Sequence, residues 1–423
     1  MQYNSSIRSR LLEPVLDLTN DRVEWRFAAN ELYKTNMRLM NLGFVGADGS
    51  TLNSKAGILA MIEEVTLYDN NQILDTIRPA YNYLAFKSNL VSNRKQIAKK
   101  TMLTGSQKTS CSTFGGILDH MIKPTEITDT EATTGNFSLN LRDLLPICRA
   151  TDYLPTQVFK NLRLVIVFRA RDTSLLATSP AALPGTTKPN PLLAVDMVNN
   201  PAVVSSVLKS FRGVGFNAIE YDSFVDSADA TGAGKQTTVT KRLFGLDNKY
   251  VNRVLVYRSP TRAADMANEE TLISSGRVRA IANVNPTYQI SLNGSNMFVN
   301  SITETAEVTA MCHDTWGQFA TSAISNKFGS FGFSDADLLP SPSVAASAAY
   351  AIEALSSDGY FGCMVQSRVQ SLEVSLGRLQ KTVPANAVGA DSVYSQTQLV
   401  NIWAEVRKSV VIDKDLGYVI IYN

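Results

Sequence analysis

Tyr288–Asn300 reads YQISLNGSNMFVN, with apolar residues on either side of an Asn-Gly-Ser-Asn centre. Asn and Gly tolerate positive φ, so the stretch predicts two antiparallel strands joined by a tight turn. A second stretch of the same design, VTLYDNNQILDTI, lies upstream at Val65–Ile77. At a fixed offset of 225 residues the two align without a gap: Leu67 on Leu292, Asn71 on Asn296, Ile77 on Ile302, Val65 on Ile290 and Leu74 on Val299. Three of thirteen positions are identical, too few to establish a repeat alone, so the order of the flanking elements has to carry it.

That order does recur. Ahead of the first hairpin, DRVEWRFAA sets Val23, Trp25 and Phe27 on one side and Arg22, Glu24 and Arg26 on the other, the period of a half-buried strand. MRLMNLGFVG follows as a second strand. After the hairpin comes a long variable region. Then NFSLNLRDLLPI alternates Phe137, Leu139 and Leu141 up to Pro146, and NLRLVIVFRA has the apolar density of a strand buried on both faces. Five of the fifteen prolines then fall between Pro180 and Pro201, which predicts a linker because proline removes ladder donors and fixes φ. Beyond it the pattern restarts with a short helix, AVVSSVLKSF, and the strands FNAIEYDSFVD, VTKRLFGL and YVNRVLVYRS. VQSLEVSLGRLQ mirrors the SLNL strand, and the closing GYVIIY mirrors LRLVIVF. Two helical excursions, TRAADMANEETLISS and PSVAASAAYAIEAL, interrupt this half. The expected organisation is a first domain over 1–172, a proline-rich linker over 173–201 and a second domain over 202–423. The expected fold class is all-β: two tandem eight-stranded jelly-roll β-sandwiches with short helical excursions.

Bulk composition narrows the function. The 423 residues exceed one ordinary core and suit two domains. With 44% hydrophobic and 18% charged residues the chain is globular, and a net charge of +2 marks no general affinity for nucleic acid or acidic lipid. No apolar run reaches the roughly 18 residues that span a bilayer. The opening MQYNSSIRSR has no apolar centre of a signal peptide, so neither secretion nor insertion is expected. Cys111, Cys148, Cys312 and Cys363 are scattered, as reduced packing thiols would be.

Catalytic patterns fail one by one. His120 and His313 are the two histidines, and the cluster Cys312-His313-Asp314 alternates faces if it lies on a strand. Ala230–Thr238, ATGAGKQTT, echoes a phosphate-binding loop but has Asp229 and Gln236 where the motif needs Gly and Ser or Thr. Gly213–Ala218, GVGFNA, follows a helix instead of the strand a dinucleotide motif needs. The acidic pairs Glu63-Glu64 and Glu269-Glu270 suit a solvated face better than a glycosidase site. Sequons begin at Asn4, Asn136 and Asn293, and Arg8 and Arg10 form a small basic arm. No catalytic, cofactor-binding or metal-binding residue is therefore assigned, and no cofactor is expected.

Read together, LLEPVLDLTNDRVEWRFAANELYKT, the DNN hairpin, GNFSLNLRDLLPICRATDYLPTQVFKNLRLVIVF, the proline-rich linker, FNAIEYDSF and YQISLNGSNMFVN resemble a double jelly-roll major capsid protein. The lineage is that of adenovirus hexons, polinton-like viruses, adintoviruses and virophages. The resemblance runs from about Leu11 to Asn423 and lies in the order of elements more than in any signature. It implies a non-enzymatic capsid protein, with two upright jelly rolls per chain and homotrimeric, pseudo-hexagonal capsomers. These would tile an icosahedral virion shell around a double-stranded DNA genome, assembled inside the host cell. Its implied partners are itself, penton and minor capsid proteins, and an internal membrane or the genome through the N-terminal arm, with no small-molecule substrate. Alternatives are a minor or penton capsid protein, against which the duplication argues, and a tandem β-sandwich that binds or cleaves glycans. The latter needs a clustered acidic pair or an aromatic groove.

Overall fold

A computed structural model describes residues 7–15, 22–42, 62–80, 83–84, 137–168, 191–226, 236–260, 284–302, 360–380, 398–413 and 417–422, with Leu59 and a few positions between 307 and 315. No helix among these is long and apolar enough to cross a membrane.

The first half builds two sheets. One joins β1 (Ile7–Leu12), β10 (Leu192–Val198), the collinear pair β3 (Leu32–Lys34) and β4 (Arg38–Leu42), and the outer pieces β8 (Tyr153–Pro155) and β7 (Phe137–Asn140). The other runs β2 (Arg22–Arg26), β9 (Leu162–Phe168), β5 (Ile62–Asp69), β6 (Gln72–Ile77). Counting β3/β4 as one strand and β7/β8 as another gives eight positions in chain order. The sheets then read first-eighth-third-sixth and second-seventh-fourth-fifth, which is a jelly roll.

The second half repeats this order. One sheet is β11 (Gly213–Asp226), β18 (Gln398–Asp413), β13 (Tyr250–Pro260), β16 (Tyr360–Arg368), and the other is β12 (Gln236–Arg242), β17 (Leu372–Gln380), β14 (Val284–Leu292), β15 (Ser295–Asn296). An additional strand, β19 (Gly417–Tyr422), pairs with the end of β18 beyond the point where β13 stops. Inward residues such as Val23, Trp25, Leu67, Ile166, Tyr288, Ile290 and Val374 are fully buried, and the apolar cores of both barrels join into one cluster.

The two quoted hairpins are equivalent, each joining the fourth and fifth strands, but the offset shifts along them. The tips superpose at 223 residues, since Asp69 pairs with Gln72 and Leu292 with Ser295 across two-residue loops. The far ends agree at 225 in Ile77, paired with Val65, and Ile302, bridged to Tyr288. The slip is two residues, one pleat repeat, so Ile77 and Ile302 both stay buried, whereas Leu74 is buried and Val299 exposed. At the second tip Asn293 has φ 51° and Gly294 φ 82°, the left-handed pair of a type I′ turn. A Cβ on Gly294 meets nothing within 4 Å, so only the backbone resists substitution. Gly294→Val is expected to cost about 1–2 kcal/mol, read as a fall in melting temperature with the secondary structure unchanged.

Other expectations need correction. The tail of the proline-rich linker is strand β10, whose Leu193, Val195 and Met197 fill the first core while the strand pairs with β1, β3 and β4. The alternating NFSLNLRDLLPI is strand only to Asn140. There the Asn140 side chain accepts a hydrogen bond from the Arg142 backbone N–H and starts α1 (Leu141–Leu144), followed by α2 (Pro146–Ala150) with proline in its first turn. SLNL occupies the sixth jelly-roll position and SLEV the seventh, so they are not counterparts. LRLVIVF is likewise the seventh strand, whereas GYVIIY is the additional one. The helix AVVSSVLKSF is α3 (Pro201–Ser210), capped by Asn200. Both helical excursions of the second half lie outside the described residues.

Topology also sorts the connections by length. Consecutive strands alternate in direction, so alternate connections share an end. In the first barrel the short links 27–31, 70–71 and 156–161 share one end, and the long links 43–61, 78–136 and 169–191 share the other. The second barrel repeats this, with 243–249, 293–294 and 369–371 against 227–235, 261–283, 297–359 and 381–397.

Candidate functional site

Among the described residues, a dense set of specific contacts forms the junction of the two barrels. It forms because β18 is buried on both faces from Val400 to Val406. Val400, Ile402, Ala404 and Val406 alternate into the barrel's own core, while Asn401, Trp403 and Glu405 are buried on the other side. The Trp403 ring stacks on Tyr257 (centroids 6.4 Å apart) and tilts against Tyr221 and, from the first barrel, Tyr83 (both 5.8 Å). Its indole N–H donates to the Arg78 carbonyl at 3.3 Å. Glu405 accepts from the Tyr83 hydroxyl at 2.9 Å and from Arg253 Nε at 2.6 Å. Arg253 Nη1 donates onward to the Thr315 carbonyl at 3.0 Å.

Further down the contact, Lys408 donates to the Ile73 carbonyl at 3.2 Å and sits beside the rings of Phe216 and Tyr422. Asp75 accepts the Ile147 backbone N–H at 2.8 Å, which holds α2 to β6 while α2 packs on β11. At the short-link end Phe159 meets Tyr418 (5.3 Å) and Phe211 (6.4 Å), and Tyr418 hydrogen-bonds Asp69. Phe159 and Asp69 belong to the short-link end of the first barrel; Phe211 and Tyr418 flank the start of β11 and the end of β18. The barrels therefore stand side by side with their short-link ends level, and α3 joins them at that end.

These groups titrate as a structural contact should. Burial, then the Glu405 charge, holds Tyr83 well above the ordinary tyrosine range. Burial, then the hydrogen bond to Asp69, does the same for Tyr418. Burial also raises Tyr33, Tyr221, Tyr422 and the Cys148 thiol, and lowers Lys408. Above the unfolded-state values, roughly 8.5 for Cys and 10 for Tyr, the folded chain keeps protons that the unfolded chain releases, so those groups lose stability as pH rises. Lys408 acts in the opposite sense: between its lowered folded value and that of the free side chain the unfolded chain holds more protons, which adds stability with pH. Five tyrosines and one thiol outweigh one lysine. The melting temperature is expected to fall progressively from about pH 9 upward, and a smaller fall in Tyr83→Phe would locate part of the effect at the junction.

Among the described residues, those weighed for chemistry do not assemble. His120, His313, Cys111, Cys312, Asn4, Asn136 and Glu269-Glu270 lie outside the described residues. Cys148 and Cys363 are buried free thiols. Glu64 accepts a hydrogen bond from Thr66 within β5. Gln236–Thr238 open strand β12 where a phosphate loop would open a helix, and Gly213–Ala218 are the start of β11. The Asn293 side-chain oxygen accepts the backbone N–H groups of Gln370 and Ser371, at 2.7 and 3.1 Å, which ties two short links together. Arg8 and Arg10 lie in the exposed edge strand β1. Among the described residues no group of three or more potential ligands could hold a metal.

No protein-family model matches the sequence, and no curated protein matches it. Solved structures do. VP54 of PBCV-1, fitted into a reconstruction of the virophage Sputnik, matches with a TM-score of 0.60 at 11% identity over 99% of this chain and 97% of its own. This chain has the double jelly-roll fold. The mavirus major capsid protein (TM-score 0.50, 9% identity, 100% and 91% covered) and the Faustovirus major capsid protein (0.51, 8%, 96% and 90%) match this double jelly roll as well. Each match runs through both barrels and their junction. Sequence reasoning missed the junction: Tyr83 and Glu405 are 322 positions apart. The signal available in the sequence was Trp403, a large aromatic among Asn401, Glu405 and Arg407 on what reads as the polar face of NIWAEVRK.

Proposed function

We propose that this chain is a major capsid protein, with a structural and not a catalytic role, that self-assembles into homotrimeric, pseudo-hexagonal capsomers of an icosahedral virion enclosing double-stranded DNA. The observation that carries the proposal is the pair of level, side-by-side jelly rolls locked by a buried junction. Two similar upright barrels per chain give a trimer six similar flanks, as hexagonal tiling requires. A penton protein needs one barrel, and a glycan-cleaving protein needs an acidic pair that the described residues do not assemble. A net charge of +2 keeps repulsion low among many copies. The long connections form the outward end, and the short-link end with α3 faces inward toward minor proteins, membrane or genome. The first domain runs through Val198 and the second begins after α3, which serves as the link.

The test is the purified full chain at micromolar concentration. Light scattering is expected to give three chain masses, and negative-stain images six-sided particles. A monodisperse monomer would overturn the proposal.

A further inference from the structure

The outer face of the β2–β9–β5 sheet carries a knot of fixed positive charge. Val23, Trp25, Leu164 and Ile166 fill the core. The residues that alternate with them, Arg22, Glu24, Arg26 and Arg163, therefore point outward. Three guanidiniums gather on the Glu24 carboxylate: Arg26 Nε at 2.9 Å, Arg163 Nη1 at 3.8 Å and Arg22 Nη2 at 4.0 Å. The Glu24 side chain is 4% exposed, whereas Arg22 is 48% and Arg26 59% exposed. Arg163 is held from behind. Its Nη2 donates to the Asn70 carbonyl at 2.9 Å, its guanidinium carbon lies 4.9 Å from the Tyr68 ring centre, and its Nε is buried with no acceptor. The next carboxylate on this face, Glu64, is separated from Arg22 by Val167 and accepts the Thr66 hydroxyl. The equivalent sheet of the second barrel presents two balanced rows, Thr240–Ser375–Gln289 and Arg242–Glu373–Ser291. Thr240 and Ser375 share a hydrogen bond at 2.7 Å, and Arg242 lies 3.7 Å from Asp247.

We infer that Arg22, Arg26 and Arg163 dock an extended acidic segment of another protein chain. One carboxylate among three guanidiniums leaves two positive charges unneutralised, and both half-exposed arginines have donors to spare. Arg22 and Arg26 stand four residues apart on one strand, about 13 Å. An extended segment with carboxylates four residues apart matches that span, and arginine grips a carboxylate through two parallel hydrogen bonds. Such a segment can set a neutral residue over Glu24. A nucleic-acid backbone or a lipid surface cannot, because its phosphates recur without a gap and some must face that carboxylate. The docking itself does not rest on the capsid proposal. Its consequence does: on a six-sided trimer the cluster lets a partner tell the first barrel from the second, and so bind three times instead of six.

The full-length chain tests it with a fluorescein-labelled peptide that has Glu at every fourth position and Ser or Thr between. Binding is expected at one peptide per chain and should weaken as salt rises. Arg22→Gln combined with Arg26→Gln is expected to weaken it by at least about tenfold. Glutamine still donates to Glu24, so circular dichroism and melting temperature should stay close to the parent's. Arg242→Gln, on the matching strand of the second barrel, should leave the affinity within about twofold. A parent that does not bind the peptide, a double variant that binds it like the parent, or an Arg242 variant that loses as much overturns the inference. So does a double-stranded DNA oligonucleotide or a phosphatidylserine vesicle that binds more tightly than the peptide and loses that binding in the double variant, since the cluster would then serve phosphates. A monomeric parent that still binds the peptide overturns the capsid proposal and spares the docking site.

Discussion

Gly213→Ala is expected to prevent the second barrel from folding. Gly213 opens β11 opposite Val411, with φ at 131°. A Cβ built there would lie 2.1 Å from the Val410 carbonyl oxygen and 2.9 Å from the Val411 Cα. Both are backbone atoms of the central strand, so relief requires β11 and β18 to part at the point where the chain enters the barrel. Backbone strain adds to the overlap, because φ lies where L-residues rarely go. The cost is on the order of 4 kcal/mol or more, beyond the usual range of single substitutions. Insoluble protein on expression, or a melting temperature far below the parent, is the expected result. A soluble variant with the parent's denaturation midpoint would refute it. Gly213 also opens GVGFNA, so its glycine is explained by the close approach of two strands and not by a nucleotide.

Trp403→Ala is expected to cost about 3–5 kcal/mol, the range for emptying a buried aromatic site. Its neighbours come from both barrels, so the loss should fall on their coupling. Tyr83, Tyr221 and Tyr257 would line the space left, and the Arg78 carbonyl would lose its donor. Denaturant unfolding should then separate into two transitions where the parent is expected to give one, as two jelly rolls unfold without their shared wall. A single transition with an unchanged midpoint would show that the junction adds nothing to stability.

The parts of this fold visible in the sequence were those set by neighbours along the chain. Val23, Trp25 and Phe27 alternate, so β2 and its buried face could be read directly. Asn293-Gly294 fixed a turn for the same local reason. The repeat was visible but two residues out at the hairpin tips, because period-2 patterning constrains the face of a residue and not its partner. The strand LLAVDMV was lost behind its prolines, although its alternation at Leu193, Val195 and Met197 was present. The turn into α1 was hidden because Leu141 continues the strand pattern, and Asn140 acts as a cap only once the chain bends. Nothing local announces that Tyr83 and Arg253 meet on Glu405, since desolvating a carboxylate between a phenol and a guanidinium depends on both barrels being in place.

The sorting of links by length gives the two ends of the molecule different evolutionary freedom. At the short-link end Asn293 binds Gln370 and Ser371, and Phe159 meets Tyr418, so one inserted residue would break a cross-link or shift a register. At the other end, doubling the length of a connection costs only about 0.6 kcal/mol of closure entropy. Length changes between relatives should therefore collect on a single surface. On the capsid proposal, that is the surface a host meets, and it can be rewritten while the lattice beneath it stays the same.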